Sequence, residues 1–131
     1  MRYYLDAAPV IYSVEEVPPY AAAVDARLSA PDVVRVASDL TRMECRVRPI
    51  RDHNDDLLKD FDKYFDETLD EIVGLSRDVI DRATVIRAQY GFKAPDAIHL
   101  PAALASGCQV FLTNDHRLDR FKGLTVEIVQ P

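Results

Sequence analysis

The chain has few cysteines and no long apolar run, and each scarcity excludes a class of protein. Cys45 and Cys108 lie far apart and form no C-x-x-C pair, so reduced thiols are expected and a zinc site is not indicated. No apolar run approaches the roughly 20 residues that span a bilayer. Asp6 interrupts the N-terminus where a secretory signal would need apolar residues. The sequence therefore predicts a cytoplasmic protein without a membrane segment.

The chain also lacks the short motifs of several common enzyme classes. It contains no G-x-S-x-G elbow, no P-loop and no reactive-cysteine context. It has no linker, internal repeat or low-complexity segment. With 131 residues, of which 48% are hydrophobic and 29% charged, it has the size and composition of a globular domain. We expect residues 1–131 to form one domain.

Positive charge is scarce, because 22 acidic residues outnumber 16 basic ones and the net charge is −6. This balance argues against broad electrostatic binding of nucleic acid. The charge is uneven, however. Five arginines against two acids between Arg35 and Arg51 are followed by nine acids against two lysines between Asp52 and Glu71. A basic patch can therefore coexist with an acidic surface, and the acidic stretch is most simply a solvated helix face.

Short apolar strands alternate with helical patterns along the chain. The predicted strands are residues 2–5, 33–37, 71–75, 109–113 and 124–129, and the predicted helices are residues 8–15, 20–29, 40–47, 54–67, 76–91 and 93–107, with a helical turn at 116–121. The third helix is expected to end before Pro49. This alternation predicts an α/β fold with a mostly parallel central sheet, whose ligands bind beyond the carboxyl ends of the strands.

Four carboxylates from separate elements can meet at that edge of the sheet. Asp6 follows the first strand and Asp115 follows the fourth, while Glu44 lies early in the helix after the second strand. Asp96 lies in the first turn of an almost wholly apolar helix. Neighbouring carboxylates repel one another, and a hard divalent cation such as Mg²⁺ removes the repulsion. Because two such ions can hold the attacking and leaving oxygens of a phosphodiester, the set indicates phosphodiester hydrolysis.

Each acid taken alone has a simpler structural explanation. An aspartate after a strand commonly forms a turn or caps a helix, and one in the first turn of a helix interacts favourably with the helix dipole. The functional interpretation therefore depends on all four acids together, because buried carboxylates are rare unless they are paired or bound to metal.

Four short motifs give the whole chain a resemblance to a known family. They are Y-L-D at Tyr4–Asp6, M-E at Met43–Glu44, P-D-A-I-H-L at Pro95–Leu100 and F-L-T-N-D at Phe111–Asp115. In their order and spacing the sequence resembles PIN-domain proteins, of the kind that form the toxin half of VapBC toxin–antitoxin pairs. The pairing of D-A-I-H-L with T-N-D within about twenty residues is the most specific part of the match.

The resemblance implies a three-layer PIN-like fold and an endoribonuclease that depends on Mg²⁺ or Mn²⁺. It places the metal-binding and catalytic acids at Asp6, Glu44, Asp96 and Asp115, with Thr113 as a hydroxyl that supports them. It further implies RNA as substrate, a VapB-like antitoxin as partner and a homodimer. A non-catalytic PIN module that binds RNA or protein is the alternative. Asp119 matches a further acidic position only poorly.

The sequence departs from the family pattern at two places. Ala7 and Ala8 follow the first acid, where the family often has hydroxyl or amide side chains. Pro101 stands where an alanine is usual, and it is expected to bend the last long helix one turn after Asp96. Neither departure removes an acid, so metal binding is expected to survive.

Three further side chains have two interpretations each. Arg42 and Arg46 could steer RNA phosphates towards the site, or they could lie on a solvated face or pair with nearby acids. His99, one turn after Asp96, could act as a general acid, but a hydrogen-bonded helix histidine is the expectation.

A phosphoryl-transfer domain that uses Asp6 as phospho-acceptor is disfavoured, because Ala8 stands where such enzymes need a second acid.

Overall fold

The computed structural model describes residues 1–130 and confirms the alternation of strands and helices. The elements of these residues are β1 (Arg2–Leu5), α1 (Ala7–Val14), α2 (Tyr20–Leu28), β2 (Val34–Ser38), α3 (Asp39–Arg51), α4 (Asp55–Lys63), β3 (Glu71–Val73), α5 (Arg77–Tyr90), α6 (Ala94–Ala105), β4 (Val110–Thr113) and β5 (Thr125–Ile128). A π-helical turn covers Tyr64–Thr68 and a 3₁₀ turn covers His116–Arg120.

The five strands form one sheet in the order β3-β2-β1-β4-β5, and every pair of neighbours is parallel. The chain moves outwards from β1 to β3 on one side and then returns to place β4 on the other side of β1. The strand order therefore reverses between β1 and β4, which is where ligands bind in open parallel sheets. The predicted α/β fold is confirmed.

Successive side chains of a strand point to opposite faces of the sheet, and in β1, β2 and β4 both sets include buried apolar residues. Helices therefore cover both faces. Leu5 and Leu112 pack with Val10 of α1 in the apolar core on one face. Tyr4 and Phe111 pack on the other face against α5 and α6, with their rings stacked at 5.2 Å between centroids. The helix–sheet–helix layering agrees with the expected three-layer architecture.

Side chains at the helix N-termini define where several helices begin. Asp6, Ser38, Asn54 and Ser76 each accept a hydrogen bond from a backbone N–H in the first turn of α1, α3, α4 and α5. Gly91 ends α5 in the left-handed conformation, with φ of 72°. These caps account for the agreement between the predicted and observed starts of the helices.

The structure corrects the predicted end of α3 and divides the helix that follows. Helix α3 was expected to end before Pro49, but it continues to Arg51. Pro49 is buried on the same face as Cys45, so its packing against the core offsets the hydrogen bond that proline cannot donate. The predicted helix at residues 54–67 ends at Lys63 and continues as the π-helical turn, which buries Tyr64 and Phe65.

The sequence predicts a bend in α6 at Pro101 and no helix that crosses a membrane. Helix α6 is continuous from Ala94 to Ala105 through Pro101; the bend at Pro101 stays a prediction. Among residues 1–130, no helix combines the length and the apolar character needed to cross a membrane.

Candidate active site

Asp6 and Asp115 lie where two neighbouring parallel strands end. Asp6 directly follows β1, and Asp115 is the second residue after β4. The backbone N–H of Asp6 donates to the carbonyl of Leu112 at 3.0 Å, which ties the end of β1 to β4. Both acids therefore lie at the carboxyl edge, on the two sides of the point where the strand order reverses.

Thr113 connects these two acids through one buried hydroxyl. Its Oγ1 donates to Asp6 Oδ2 at 2.7 Å and accepts the backbone N–H of Asp115 at 3.1 Å. The other oxygen of Asp6, Oδ1, accepts the N–H of Ala7 at 2.8 Å as the cap of α1. The Asp6 carboxylate is thus fixed from two sides, and Ala7 contributes its backbone where a side-chain hydroxyl is absent.

His99 lies between Asp6 and Glu44 and is almost completely buried. Its Nε2 donates to Glu44 Oε1 at 2.5 Å and lies 3.5 Å from Asp6 Oδ1. Burial disfavours the charged imidazole, but the bond to Glu44 and the negative charge of nearby acids outweigh it and raise the pKa of His99. The histidine therefore links the Glu44 carboxylate to the region of the Asp6 carboxylate.

Tyr4 contacts the other nitrogen of His99. Burial raises the pKa of Tyr4, so its hydroxyl keeps its proton, and it donates to Ser38 Oγ at 2.8 Å. The same hydroxyl is hydrogen-bonded to His99 Nδ1 at 2.7 Å. Tyr4 and Glu44 therefore hold the imidazole ring of His99 from both of its nitrogens.

Asp96 lies half-buried in the first turn of α6, one turn before His99 on the same helix. Its pKa is raised, mainly by burial and further by the negative charges of Asp6 and Asp115. Asp96 is therefore close enough to both strand-end acids for their repulsion to act on it. Repulsion of this kind is what a bound cation would relieve.

Asp115 is paired with a cation that the sequence analysis did not identify. Its Oδ1 accepts from Nε of Arg117 at 3.0 Å and its Oδ2 accepts from Nη2 at 2.6 Å, a bidentate arrangement. This pair lowers the pKa of Asp115. Arg117 lies two residues after Asp115 in an exposed 3₁₀ turn, and neither its position nor its spacing in the sequence signals the contact.

Arg42 and Arg46 reach an acid on the neighbouring helix. Nε of Arg46 lies 2.8 Å from Asp62 Oδ1 on α4, and Nη2 of Arg42 lies 3.7 Å from the same oxygen. Both arginines also line a surface cavity along α3 with Met43 and Val47. The observed ion pairs match the interpretation that these arginines pair with nearby acids, and a role in substrate binding stays a prediction.

The structure brings Asp6 and Glu44 together around His99, and Asp115 and Asp96 lie next to this group. Ligand atoms of Asp6, Glu44 and His99 lie within 4.8 Å of one another. Asp115 joins this group through Thr113, and Asp96 through its electrostatic effect on the same carboxylates. Because both nitrogens of His99 already have hydrogen-bond partners in Tyr4 and Glu44, we interpret His99 as a residue that positions the acids and not as a metal ligand. The remaining donors are carboxylate oxygens, which suit hard divalent cations.

Solved structures with this fold include components of toxin–antitoxin systems. VapBC2 from Rickettsia felis, bound to a DNA fragment from its promoter, matches with a TM-score of 0.80 and 16% identity, covering 99% of this chain and 100% of that one. A toxin–antitoxin complex from Klebsiella pneumoniae matches with a TM-score of 0.75 and 20% identity, and the match covers 98% of each chain. VapC20 from Mycobacterium tuberculosis, a sarcin–ricin loop cleaving toxin, matches with a TM-score of 0.70 and 11% identity, covering 92% of this chain and 90% of that one. At these identities the likeness establishes the fold.

The family follows from the sequence itself. No curated protein is significantly similar to the chain. Residues 3–124 nevertheless match the PIN domain, and this range contains Asp6, Glu44, Asp96 and Asp115. The sequence match and the arrangement of acids at the carboxyl edge agree, and the chain therefore belongs to the PIN domain family.

Proposed function

We propose that the chain is a metal-dependent endoribonuclease that hydrolyses RNA phosphodiester bonds as the toxin of a toxin–antitoxin pair. The observation that carries the proposal is the meeting of carboxylates from the end of β1, from α3, from α6 and from the loop after β4 at the reversal point of a PIN-domain sheet. We further propose that residues 1–131 act as one PIN unit in the cytoplasm.

The donor set at this edge fits Mg²⁺ or Mn²⁺. Asp6, Asp96 and Asp115 would supply oxygen atoms for one ion, directly or through water, and Glu44 would hold a second ion or orient the attacking water. Such an ion supplies an activated water and stabilises charge on the phosphate oxygens. The raised pKa of Asp96 supports this assignment, since a cation would relieve the repulsion that raises it.

The residues around the acids hold them in place. Thr113 and the N–H of Ala7 fix the Asp6 carboxylate, and His99 fixes Glu44 while Tyr4 fixes His99. Attack of water on phosphorus breaks the bond from phosphorus to the 3′ oxygen, and that oxygen gains a proton. The products are then a 5′-phosphate and a 3′-hydroxyl.

A protein partner is part of the proposal. The structures from Rickettsia felis and Klebsiella pneumoniae are toxin–antitoxin complexes, and we propose a VapB-like antitoxin and a homodimer for this chain. An acidic crevice suits an arginine inserted by such an antitoxin, because guanidinium binds carboxylates in a bidentate manner. Light scattering on the purified chain should give twice its 14.8 kDa mass, and a single protomer mass would contradict the dimer.

The central test is the loss of RNA cleavage when one acid becomes an amide. Asp6→Asn and Asp96→Asn should each lower the rate of Mg²⁺-dependent cleavage on the order of 10²-fold or more, since each removes negative charge from the proposed ion site. The matched control is Asp32→Asn, because Asp32 is exposed beside the N-terminal amine, at the opposite edge of the sheet. Its cleavage rate should equal that of the wild type.

Two outcomes would contradict the proposal. If Asp96→Asn cleaved RNA as fast as the wild type, the assignment of Asp96 would be wrong. If the wild type bound RNA or protein but neither cleaved RNA nor responded to Mn²⁺, the chain would be the non-catalytic PIN module.

A further inference from the structure

We infer that Lys93, Arg117 and Arg120 form a subsite that binds a phosphate of the RNA strand directly beside the acids. The inference rests on the proposed function, since it assigns the residues that position the RNA backbone next to the bond to be cleaved. These three cations lie in different elements: Lys93 precedes α6, whereas Arg117 and Arg120 belong to the 3₁₀ turn after β4.

The three cations line one surface cavity that also contains a predicted catalytic acid. The cavity measures about 220 Å³, and it is lined by Gly91, Phe92, Lys93, Asp96, Arg117 and Arg120. Asp96 belongs both to this cavity and to the acidic group, so the two sites share a wall. A strand of RNA bound at the acids therefore has the cations within reach of a neighbouring phosphate.

Arg120 is oriented before any ligand binds. Its guanidinium carbon lies 4.4 Å from the ring centroid of Phe92 and 5.8 Å from that of Tyr90, and its Nη2 donates to the Tyr90 carbonyl. Stacking and this hydrogen bond limit the motion of the planar group while other N–H groups remain available. A guanidinium held in this way loses less entropy when it binds a phosphate.

The charge balance of the cavity favours an anion. Within residues 1–130, neither Lys93 nor Arg120 forms an ion pair, whereas the charge of Arg117 is offset by Asp115. Lys93 and Arg120 are therefore available to an anion directly beside the acids, in a chain whose net charge is −6. Acidic side chains repel the RNA backbone, and adjacent cations favour its approach to the metal site.

The test measures RNA binding apart from cleavage. In an Asp6→Asn background, binding of a fluorescein-labelled, 12-nucleotide single-stranded RNA of mixed sequence is followed by anisotropy at several salt concentrations in Mg²⁺ buffer. Lys93→Gln and Arg120→Gln should each weaken binding roughly threefold to tenfold. Each should also lower the slope of the salt dependence by about 0.7 for every phosphate that the variant no longer neutralises.

Two further variants separate phosphate binding from a merely structural role. Arg120→Lys keeps the charge but loses the stacked fork, so it should retain the salt slope and recover part of the affinity. The matched control is Arg82→Gln, because Arg82 is exposed on α5 and pairs with Asp78, one turn away. It should change neither the affinity nor the slope. Lys93 is exposed, so its variant also reports on the site if Arg120→Gln unfolds.

The outcomes distinguish this inference from the proposed function. If Lys93→Gln and Arg120→Gln bound RNA with the parent's affinity and slope while the wild type cleaved RNA, the subsite would be wrong and the nuclease would stand. If the Asp6→Asn parent bound no RNA and the wild type cleaved none, both would be overturned.

Discussion

Thr113 is the residue whose single hydroxyl serves two of the four acids. It is fully buried, donates to Asp6 at 2.7 Å and accepts from the N–H of Asp115 at 3.1 Å. Thr113→Val keeps the shape of the side chain but leaves these groups without that partner. The free energy of unfolding, measured with urea, should fall by about 1–3 kcal/mol, because buried polar groups that lose a hydrogen bond keep their desolvation penalty.

Thr84 provides the matched control for this substitution. Its hydroxyl donates to the carbonyl of Ile80 at 3.0 Å within α5 and is exposed to solvent. Thr84→Val should therefore change the free energy of unfolding by no more than about 0.5 kcal/mol. Equal urea midpoints for the two variants would show that the Thr113 hydroxyl does not stabilise the edge of the sheet.

The sequence predicts which residues approach this edge, but it does not predict which atoms pair. The positions of Asp6 and Asp115 follow from strand order alone, since parallel strands end at a common edge. The contact of His99 with Glu44 depends instead on side-chain conformation and on the packing of Tyr4, whereas that of Arg117 with Asp115 depends on the conformation of the 3₁₀ turn. Individual side-chain hydrogen bonds leave no periodic signal in the sequence, which is why these partners are visible only in the structure.

The end of α5 depends on one backbone conformation. Gly91 has φ of 72°, and its N–H donates to the carbonyl of Arg87 at 2.8 Å. A Cβ atom at Gly91 would have no heavy atom within 4 Å, so any effect of Gly91→Ala comes from the backbone and not from a clash. We expect the free energy of unfolding to fall by about 1–2 kcal/mol, the cost of left-handed backbone for an L-residue.

Gly74→Ala is the control for the conformational argument. Gly74 does not have a positive φ, and a Cβ there would have only an ordinary contact of 4.0 Å with Asp39. Its substitution should leave the urea midpoint unchanged or raise it slightly, because alanine restricts the unfolded chain. A Gly91→Ala variant as stable as Gly74→Ala would contradict the role assigned to the left-handed turn.

The predicted bounds of the helices are correct where local sequence signals and tertiary packing agree. They are wrong where packing alone determines how far a helix continues. Ser76 and Gly91 mark both ends of α5, and the structure places its helix between them. Pro49 is a local signal for a helix end, yet burial of its face carries α3 on to Arg51. The π-helical turn at Tyr64–Thr68 likewise has no local signature, because its wider turn accompanies the burial of two aromatic rings in the core.

The distribution of charge over the whole molecule combines these observations. Acids are concentrated at the carboxyl edge of the sheet and along Asp52–Glu71, whereas the unpaired cations Lys93 and Arg120 lie beside the edge. Such a molecule gains little from non-specific attraction to RNA. It would select RNA that places one phosphate among the cations and the next among the acids, so specificity would arise from geometry more than from net charge.

The concentration of acids should also govern the stability of the whole fold. Burial and the charges of Asp6 and Asp115 raise the pKa of Asp96, so its ionised form is disfavoured in the folded chain. A divalent cation that binds these acids stabilises the folded state by mass action. At ten times its dissociation constant, Mn²⁺ should add about 1.4 kcal/mol and raise the melting temperature by roughly 5 °C.

Asp96→Asn should raise the melting temperature when no metal is present and reduce the stabilisation that Mn²⁺ provides. Without metal the neutral amide removes the repulsion, so the variant should melt above the wild type. With Mn²⁺ it has lost one ligand, so the gain in melting temperature should be much smaller than in the wild type, while Asp32→Asn, at the other edge of the sheet, should follow the wild type in both conditions. If millimolar Mn²⁺ left the melting temperature of the wild type unchanged, the ion site would be contradicted. A metal response that persists in Asp96→Asn would remove Asp96 from it, because a site that depends on this carboxylate cannot keep its affinity without the charge.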